Sequence, residues 1–445
     1  MTISVKDSQQ FKINELVVVT KNGDIDISAI YEEISIYDSL FVPVMSGKIL
    51  IKDSIGLSSK LLFDGSEALL MDIVKDPEAS QPFNFKKAFR IYKQSERSDN
   101  TMSSETYILS FVSDELIFSD QQRINQAYEM NYTNMVKNIL ANYLKVPENQ
   151  LGGIYDETVG IRKVVIPNLR PLEAIEWCAK RSVDERQAPC FMFYQNLTGY
   201  NFASLSKLLV NPIVLDIKFE PKNTSDVDAL DEISSARSLE IVGQTDAMDK
   251  TRSGVTSGKF IGFDPMMRMI ADKKISYDDH YKLMDHANEN PNVSVIPNRD
   301  KQDNVTMFNA KKTVSTFAAS RQYSEYIKKK DPTSLSKEDN IEQYLFQRRA
   351  LLKNLMERRV KLTMPGNFQL TSGFNVYLNV LNIAKKSKDS GNEDKSLTGK
   401  YIIVASRHII GYEKFQTIIE VATTSTDNEF VPVGNIKETQ EILEY

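Results

Sequence analysis

Three histidines and two cysteines are the first residues to test for chemistry. His280 and His286 lie six apart, neither i+3 nor i+4, and no cysteine pair or HExxH joins them into a zinc site. His408 stands beside Arg407 on an alternating stretch, where a lone histidine reads as a hydrogen-bonded structural residue. Cys178 lies on a helical face and Cys190 at a strand start. Both read as small buried thiols, with no disulfide expected between them. No GxxxxGK[ST] or GxGxxG loop is present to cradle phosphate, and no GxSxG elbow presents a nucleophile. The 60 acidic residues always offer carboxylate pairs. Nothing places such a pair in an apolar pocket, as a glycosidase needs. The basic clusters Lys328–Lys330, Lys385–Lys388 and Arg348–Arg359 read as two solvated loops and a helix exterior. The aromatic group Phe191, Phe193, Tyr194, Tyr200 and Phe202 alternates as core or subunit interface rather than as a base-stacking platform. The sequence therefore assigns no catalytic residue, no cofactor-binding residue, no metal ligand and no cofactor.

Composition agrees with a structural role. The 445 residues, 41% hydrophobic and 26% charged, suffice for several buried cores. A net charge of -5 does not suit a protein that condenses onto phosphate. The start, MTISVKDSQQFKINEL, holds no apolar signal core, and no stretch approaches the ~18 apolar residues of a membrane span. The expectation is a chain made and kept in a cytoplasm, with no membrane insertion of its own.

The elements follow from periodicity. Residues 1–120 read as about seven strands: Leu16–Thr20, the alternating Ile25 and Ile27 after a turn at Lys21–Asp24 built on Asn-Gly, Ile30–Tyr37, Val44–Lys52, Leu69–Ile73, Phe83–Tyr92 and Thr106–Val112. Within 121–145, Tyr132, Met135, Val136, Ile139, Leu140, Tyr143 and Leu144 form one helical stripe. From 166 to 209 the pattern is helix, strand, turn, strand, helix. Pro171 suits the first helical position, and Leu172, Ile175 and Cys178 share a face. Trp177 is expected to pack near Phe191 and Phe193. Residues 211–240 are acidic. Residues 245–335 are weakly patterned, with a short hairpin at Lys259–Phe263 and Arg268–Ala271. Helical period returns at Ile341–Arg359, with Arg348, Arg349, Arg358 and Arg359 outward. Strands follow at Val360–Met364, Phe374–Val380, Tyr401–Ile410 and Phe415–Val421, and a short helix is expected at Ile436–Leu443.

Three of these blocks resemble the baseplate hub proteins of contractile-tailed phages, the late control protein D and tail hub superfamily. The first is IPNLRPLEAIEWCAKRSVDERQAPCFMFYQNLTGYNFASLSKLL at 166–209. The second runs from Ser103 to Leu144, with RINQAY followed by KNILANYL. The third is RRVKLTMPGNFQLTSGFNVYLNV with GKYIIVASRHIIGYEKFQTIIEV at 358–421. The likeness covers roughly 105–210 and 340–422. A weaker echo places Ser-Gly before an alternating strand at 42–51 and again at 368–378.

The resemblance implies an α+β, mainly β chain, with two small antiparallel β-barrel-like tube domains flanking and interleaved with helical segments. The expected division is a first barrel at 1–120 and a helix-plus-hairpin middle domain at 121–240. An inserted small domain at 241–335, a helix with second-barrel strands at 336–425 and a tail at 426–445 complete it. It implies a non-enzymatic homotrimer that adapts a sixfold tail tube to a threefold spike and lets DNA pass. The implied partners are the central spike protein, the tail tube protein, the tape-measure protein and baseplate wedge proteins. The implied location is the virion, after assembly in the host cytoplasm. With 23 residues beyond 422, the spike is expected to be a separate polypeptide. The alternatives are the hub of a type VI secretion-like injection system and, from a different class, a tail-associated peptidoglycan hydrolase. Tight nucleic-acid binding is not expected, and the channel wall is expected to be neutral to negative around Asp226, Asp228, Asp231 and Glu232.

Overall fold

The computed structural model describes residues 11–427 outside 58–62, 76–82, 220–232, 265–268, 277–280, 292–294, 300–304, 310–315, 321–340, 382–393 and scattered single or paired positions. The predicted strands of the first region are all present. They are β1 (Phe11–Thr20), β2 (Gly23–Asp26), β3 (Tyr31–Ser39), β4 (Ser46–Asp53), β5 (Ala68–Lys75), β6 (Phe83–Thr101) and β7 (Ser104–Val112). The Asn-Gly hairpin forms between β1 and β2, pairing Thr20 with Gly23, whose φ of 131° only glycine adopts freely. In β3, Ile34, Ile36 and Asp38 are buried while Glu33, Tyr37 and Ser39 between and beside them are only partly so, the period-two signature of a half-buried strand.

The middle region begins with α1 (Asp114–Asp120), β8 (Ala127–Met130) and α2 (Tyr132–Asn142). The expected helical stripe is the buried face of α2, through Tyr132, Met135, Val136, Ile139 and Leu140. The expected single helical stretch at 121–145 is corrected in extent. A short helix precedes it, with Asp114 and Glu115 in its first turn where the helix dipole favours acids. β8 then pairs with β9 (Arg162–Val165). α3 (Pro171–Arg181) starts with Pro171 in its first turn, and the Glu173 carboxylate accepts from the Arg170 N–H at 3.0 Å. The hairpin of β10 (Phe191–Asn196) and β11 (Gly199–Ser204) is buried on both faces, so all five aromatics are core. α4 (Leu205–Val210) follows.

The remaining elements are β12 (Ile213–Phe219), β13 (Ser238–Gly243), α5 (Ala247–Ser253), β14 (Ser257–Asp264), β15 (Met269–Ser276), β16 (Asn290–Pro291), β17 (Val295–Arg299), β18 (Val305–Asn309) and β19 (Thr316–Ser320). Then come α6 (Ile341–Glu357), β20 (Arg358–Pro365), β21 (Asn375–Val380), β22 (Gly399–Gly411), β23 (Phe415–Thr423) and β24 (Ser425–Thr426). The hairpin expected near Asp264 is β14–β15, with β19 parallel beside β14. The tail helix expected at Ile436–Leu443 lies outside the described residues.

The mainly β, α+β class holds, but two separate barrels do not form through strand pairing. The path β13-β20-β23-β22-β3-β4-β7-β6-β5-β1-β2, with β21 and β12 branching from β22, makes one 13-stranded sheet. The physical reason is the seam: β22 pairs antiparallel with β3 from Ala405↔Ser39 to Gly411↔Glu33, so each half satisfies the other's edge. Single backbone hydrogen bonds extend the pairing at strand ends within each half. Ile27 N–H donates to Leu16 O at 3.0 Å, and Ala236 N–H to Lys218 O at 2.9 Å. The core inside the first half is completed from the far end of the chain by Phe368, Ile410 and Phe415. The Ser-Gly echo is not a structural repeat. Gly47 sits within β4 opposite Ile36, whereas Gly373 precedes β21 at φ 87°.

Candidate assembly site at the seam

The richest polar constellation in the described residues lies where the two halves meet. Asp38 continues the inward series Ile34, Ile36, and so carries a carboxylate into the core. Its oxygens accept from Thr371 Oγ1 at 2.8 Å, Ser372 N at 2.8 Å and Ser406 Oγ at 2.7 Å. Burial pushes its pKa above the usual carboxylate value, against those hydrogen bonds, which lower it. His408, fully buried, faces Ser406 Oγ through Nε2 and Thr417 Oγ1 through Nδ1, both at 3.1 Å. Burial pushes its pKa down to about 3. With Asp38 ionised, Ser406 must give it the hydroxyl proton. Donors then run Thr417 to His408 to Ser406 to Asp38.

These are the residue types of a hydrolase triad in a different order. There, a histidine stands between serine and carboxylate and takes the serine proton. Here serine stands between, and the outer nitrogen of His408 meets a threonine. The arrangement ties the two halves together, through Asp38 of β3 and Ser406 and His408 of β22.

The hairpin tip closes the same site. Asn196 Nδ2 donates to Ser372 O at 2.9 Å, and Leu197 N–H to Thr371 Oγ1 at 3.3 Å. Tyr194 lies so near Gly373 that a β-carbon there would stand 2.0 Å from its hydroxyl. Gln195 Oε1 accepts from Met45 N at 2.9 Å and Ser113 Oγ at 2.7 Å, and Asn375 Nδ2 donates to Leu208 O and Asn211 O, both at 2.8 Å. First half, hairpin and second half are therefore one hydrogen-bonded body. At the seam a cleft of about 410 Å³ is lined by Tyr37, Asp38, Val42, Ser406, Arg407 and Glu420, among others.

The residues singled out from sequence are scattered, not convergent. His280 lies outside the described residues. His286 is half-buried, stacked on Tyr281 with ring centroids 3.4 Å apart. Cys178 and Cys190 are free, buried thiols. Trp177 packs against the helical core that contains Phe191 and Phe193, but only partly buried at its rim, edge-on to Tyr132 at 6.2 Å with Arg181 over its face at 4.0 Å. Of the four outward arginines Arg349 is exposed as expected, whereas Arg348 and Arg358 are corrected. Arg348 donates to Phe191 O at 2.7 Å, Arg358 is buried, and Arg359 pairs with Glu420 at 2.8 Å. The part of α6 that carries Arg348 is covered by the middle region, at Ala179 O and Phe191 O. The clusters 328–330 and 385–388, and Asp226, Asp228, Asp231 and Glu232, lie outside the described residues. Asp38 was missed, although its phase with Ile34 and Ile36 marks an inward carboxylate. Among the described residues, no helix is long and apolar enough to cross a membrane.

No protein-family model matches the chain, and no curated protein matches it in sequence. Solved structures do. The tail protein from Neisseria meningitidis MC58 aligns over 93% of this chain and 98% of its own, at 11% identity and a TM-score of 0.48. A component of the E. coli type VI secretion system aligns over 95% of this chain and 79% of its own, at 8% identity and a TM-score of 0.41. The 43 kDa tail protein of prophage MuSo2 from Shewanella oneidensis aligns over 93% of this chain and 100% of its own, at 9% identity and a TM-score of 0.50. That last likeness extends over nearly the whole of both chains, and what it establishes is the fold: this chain folds as a phage tail protein does.

Proposed function

We propose that this chain is the structural, non-enzymatic baseplate hub of a contractile phage tail. Three copies form a ring in which two β halves per chain present a quasi-sixfold face to the tail tube and a threefold face to a central spike. DNA and the tape-measure protein leave through the ring, and wedge proteins hold its outside. The single observation that supports this most is the antiparallel joining of β3 to β22, which sets two β halves side by side in one rigid chain. A symmetry adaptor needs that arrangement, because two similar units per chain turn threefold into near-sixfold. The whole-length likeness of fold to a phage tail protein and the three hub-like sequence blocks point the same way. Contact with partners is carried by broad interfaces, not by a pocket.

Light scattering with negative-stain electron microscopy of the purified chain tests this. The expected result is a trimer with a central opening; a monomer at every concentration refutes it. A turbidity assay on bacterial cell walls addresses the hydrolase alternative, and clearance above buffer would replace the structural reading.

A further inference from the structure

One amine stands on the core-facing side of its strand. Lys87 lies in phase with Phe85, Phe89 and Ile91 on β6, all buried, and its cross-strand partner Met71 is buried too. A lysine at that phase carries its charge toward the core instead of into solvent. Its ammonium lies over two rings, 5.6 Å from the centre of Phe89 and 6.0 Å from that of Tyr200 on β11. Among the described residues Lys87 has no ion pair. Asp114 is occupied by Arg90 at 3.0 Å, and Glu115 acts on Lys87 only at a distance. Lys250, buried as well, is by contrast paired with Glu357. Burial pulls the Lys87 amine down to about 8, against the opposing pull of Glu115 and Asp114. The side chain is still partly exposed, so a small molecule can reach it.

Glu115 and Tyr200 complete the site. Glu115, in α1, is 7% exposed, and its Oε2 has no hydrogen-bond partner among the described residues. Tyr200 is fully buried, and its hydroxyl faces the Glu115 carboxyl without reaching hydrogen-bond geometry. Burial first, and then Glu115, holds that phenol well above its usual 10, so it keeps its proton. Buried polar atoms are nearly always paired, and two free ones beside a free amine call for a reason. An amine that sheds its proton readily in an apolar slot, beside a carboxyl and a phenol, is the set that condenses with a carbonyl group.

We propose that Lys87, Glu115 and Tyr200 form a site that captures a small aromatic aldehyde as an imine on Lys87 Nζ. The neutral amine attacks the carbonyl carbon, and the C=O electron pair moves onto oxygen, where the Tyr200 hydroxyl donates a hydrogen bond. Glu115 relays the two nitrogen protons, one after the other, to that oxygen. The oxygen leaves as water while the nitrogen lone pair closes the C=N bond. Amine and aldehyde become imine and water, with no oxidant or reductant. The rings of Phe89 and Tyr200 on either side of the amine favour an aromatic carbonyl, which stacks on them. The capture is stoichiometric. It goes beyond the hub reading and stands whether or not that reading does.

The test treats the full-length chain with benzaldehyde and cyanoborohydride, which reduces an imine to a stable secondary amine, and maps the labelled peptides by mass spectrometry. At about pH 7.5, Lys87 should be labelled more than about tenfold faster than the exposed Lys48 and Lys93, because an amine near 8 is far more often neutral there than one near about 10.4. Glu115→Gln should slow that capture more than about tenfold, as loss of a positioned proton carrier does. Acetylation of the same amine by acetic anhydride should be undiminished in Glu115→Gln, which separates a carbonyl site from a merely reactive lysine. Labelling of the wild type spread evenly over Lys48, Lys87 and Lys93 overturns the site, and that result needs no variant to fold. Equal slowing of both reactions in Glu115→Gln, or of neither, overturns the proton relay and with it the proposal.

Discussion

Asp38 and Ser406 lie 368 residues apart in sequence and 2.7 Å apart in space, carboxylate to hydroxyl, across the seam that joins β3 to β22. The same carboxylate also takes the Thr371 hydroxyl and the Ser372 N–H. Asp38→Ala should therefore cost about 3 kcal/mol or more, because three buried donors lose their acceptor. Asp38→Asn should cost less, since the two hydroxyls can rotate to accept from the new amide while its oxygen keeps the Ser372 N–H. Denaturant midpoints at constant slope give the comparison. An alanine variant as stable as the asparagine variant would show that the carboxylate does not bind the halves.

The pH dependence follows from burial. His408 is held neutral, its pKa depressed to about 3 from the usual 6.5. A depressed value means stability fully present above about 6.5 and lost as pH falls toward 3, because the unfolded chain takes the proton first. Asp38 has the opposite sign. Its raised pKa favours the protonated carboxyl, so its contribution is present at low pH and lost as pH rises through the folded value. Thermal melts between pH 7 and 4 should show a steep acid loss that flattens in His408→Gln. An unchanged slope in that variant would assign the acid limb to other groups.

Local pattern was legible and long-range pairing was not. The strands of both β regions, the buried face of α2 and Pro171 in the first turn of α3 all follow from short-range spacing of apolar residues. Nothing in spacing says that β22 pairs with β3, because any two half-buried strands with free edges satisfy the same pattern. The misplaced residues share a cause. Trp177 lies at the margin of the stripe Leu172, Ile175, Cys178, so one step of helical phase decides between core and rim. Arg348 faces away from its own helix's apolar side and is then covered by a second body, which no single-helix reading anticipates. Asp38 could have been found, since a carboxylate in phase with two isoleucines marks an inward acid.

The rim position of Trp177 sets its energetic weight. With part of the indole in solvent and Arg181 over it, Trp177→Ala should cost about 1–2 kcal/mol, below the ~3–5 kcal/mol of a fully buried aromatic. Phe191→Ala should show the larger loss, because that ring is fully buried against Phe202, centroids 5.1 Å apart. Equilibrium denaturation of the two variants decides the order. A tryptophan variant losing as much as the phenylalanine variant would place the indole in the core after all.

Charge on the outer face of the seam sheet bears on the proposed passage of DNA. Four basic residues there are matched by carboxylates: Arg359 with Glu420 at 2.8 Å, Arg407 with Glu33 at 3.2 Å, Lys361 with Glu240 at 3.5 Å and Lys52 with Glu32 at 3.8 Å. Such exposed pairs add little stability. Their consequence is electrostatic, since a phosphate approaching any of these cations meets an anion within a few ångströms, well inside the ~8 Å Debye length of physiological salt. The wild-type chain should therefore show no tight, salt-sensitive binding of duplex DNA. Replacing Glu33, Glu240 and Glu420 together by glutamine uncovers three cations. It should produce weak binding that falls steeply between ~50 and ~200 mM salt, as counterion release requires. Fluorescence anisotropy with a short duplex measures both. Tight binding by the wild type would mean that cations elsewhere on the chain grip DNA, and a passive conduit would then be the wrong description.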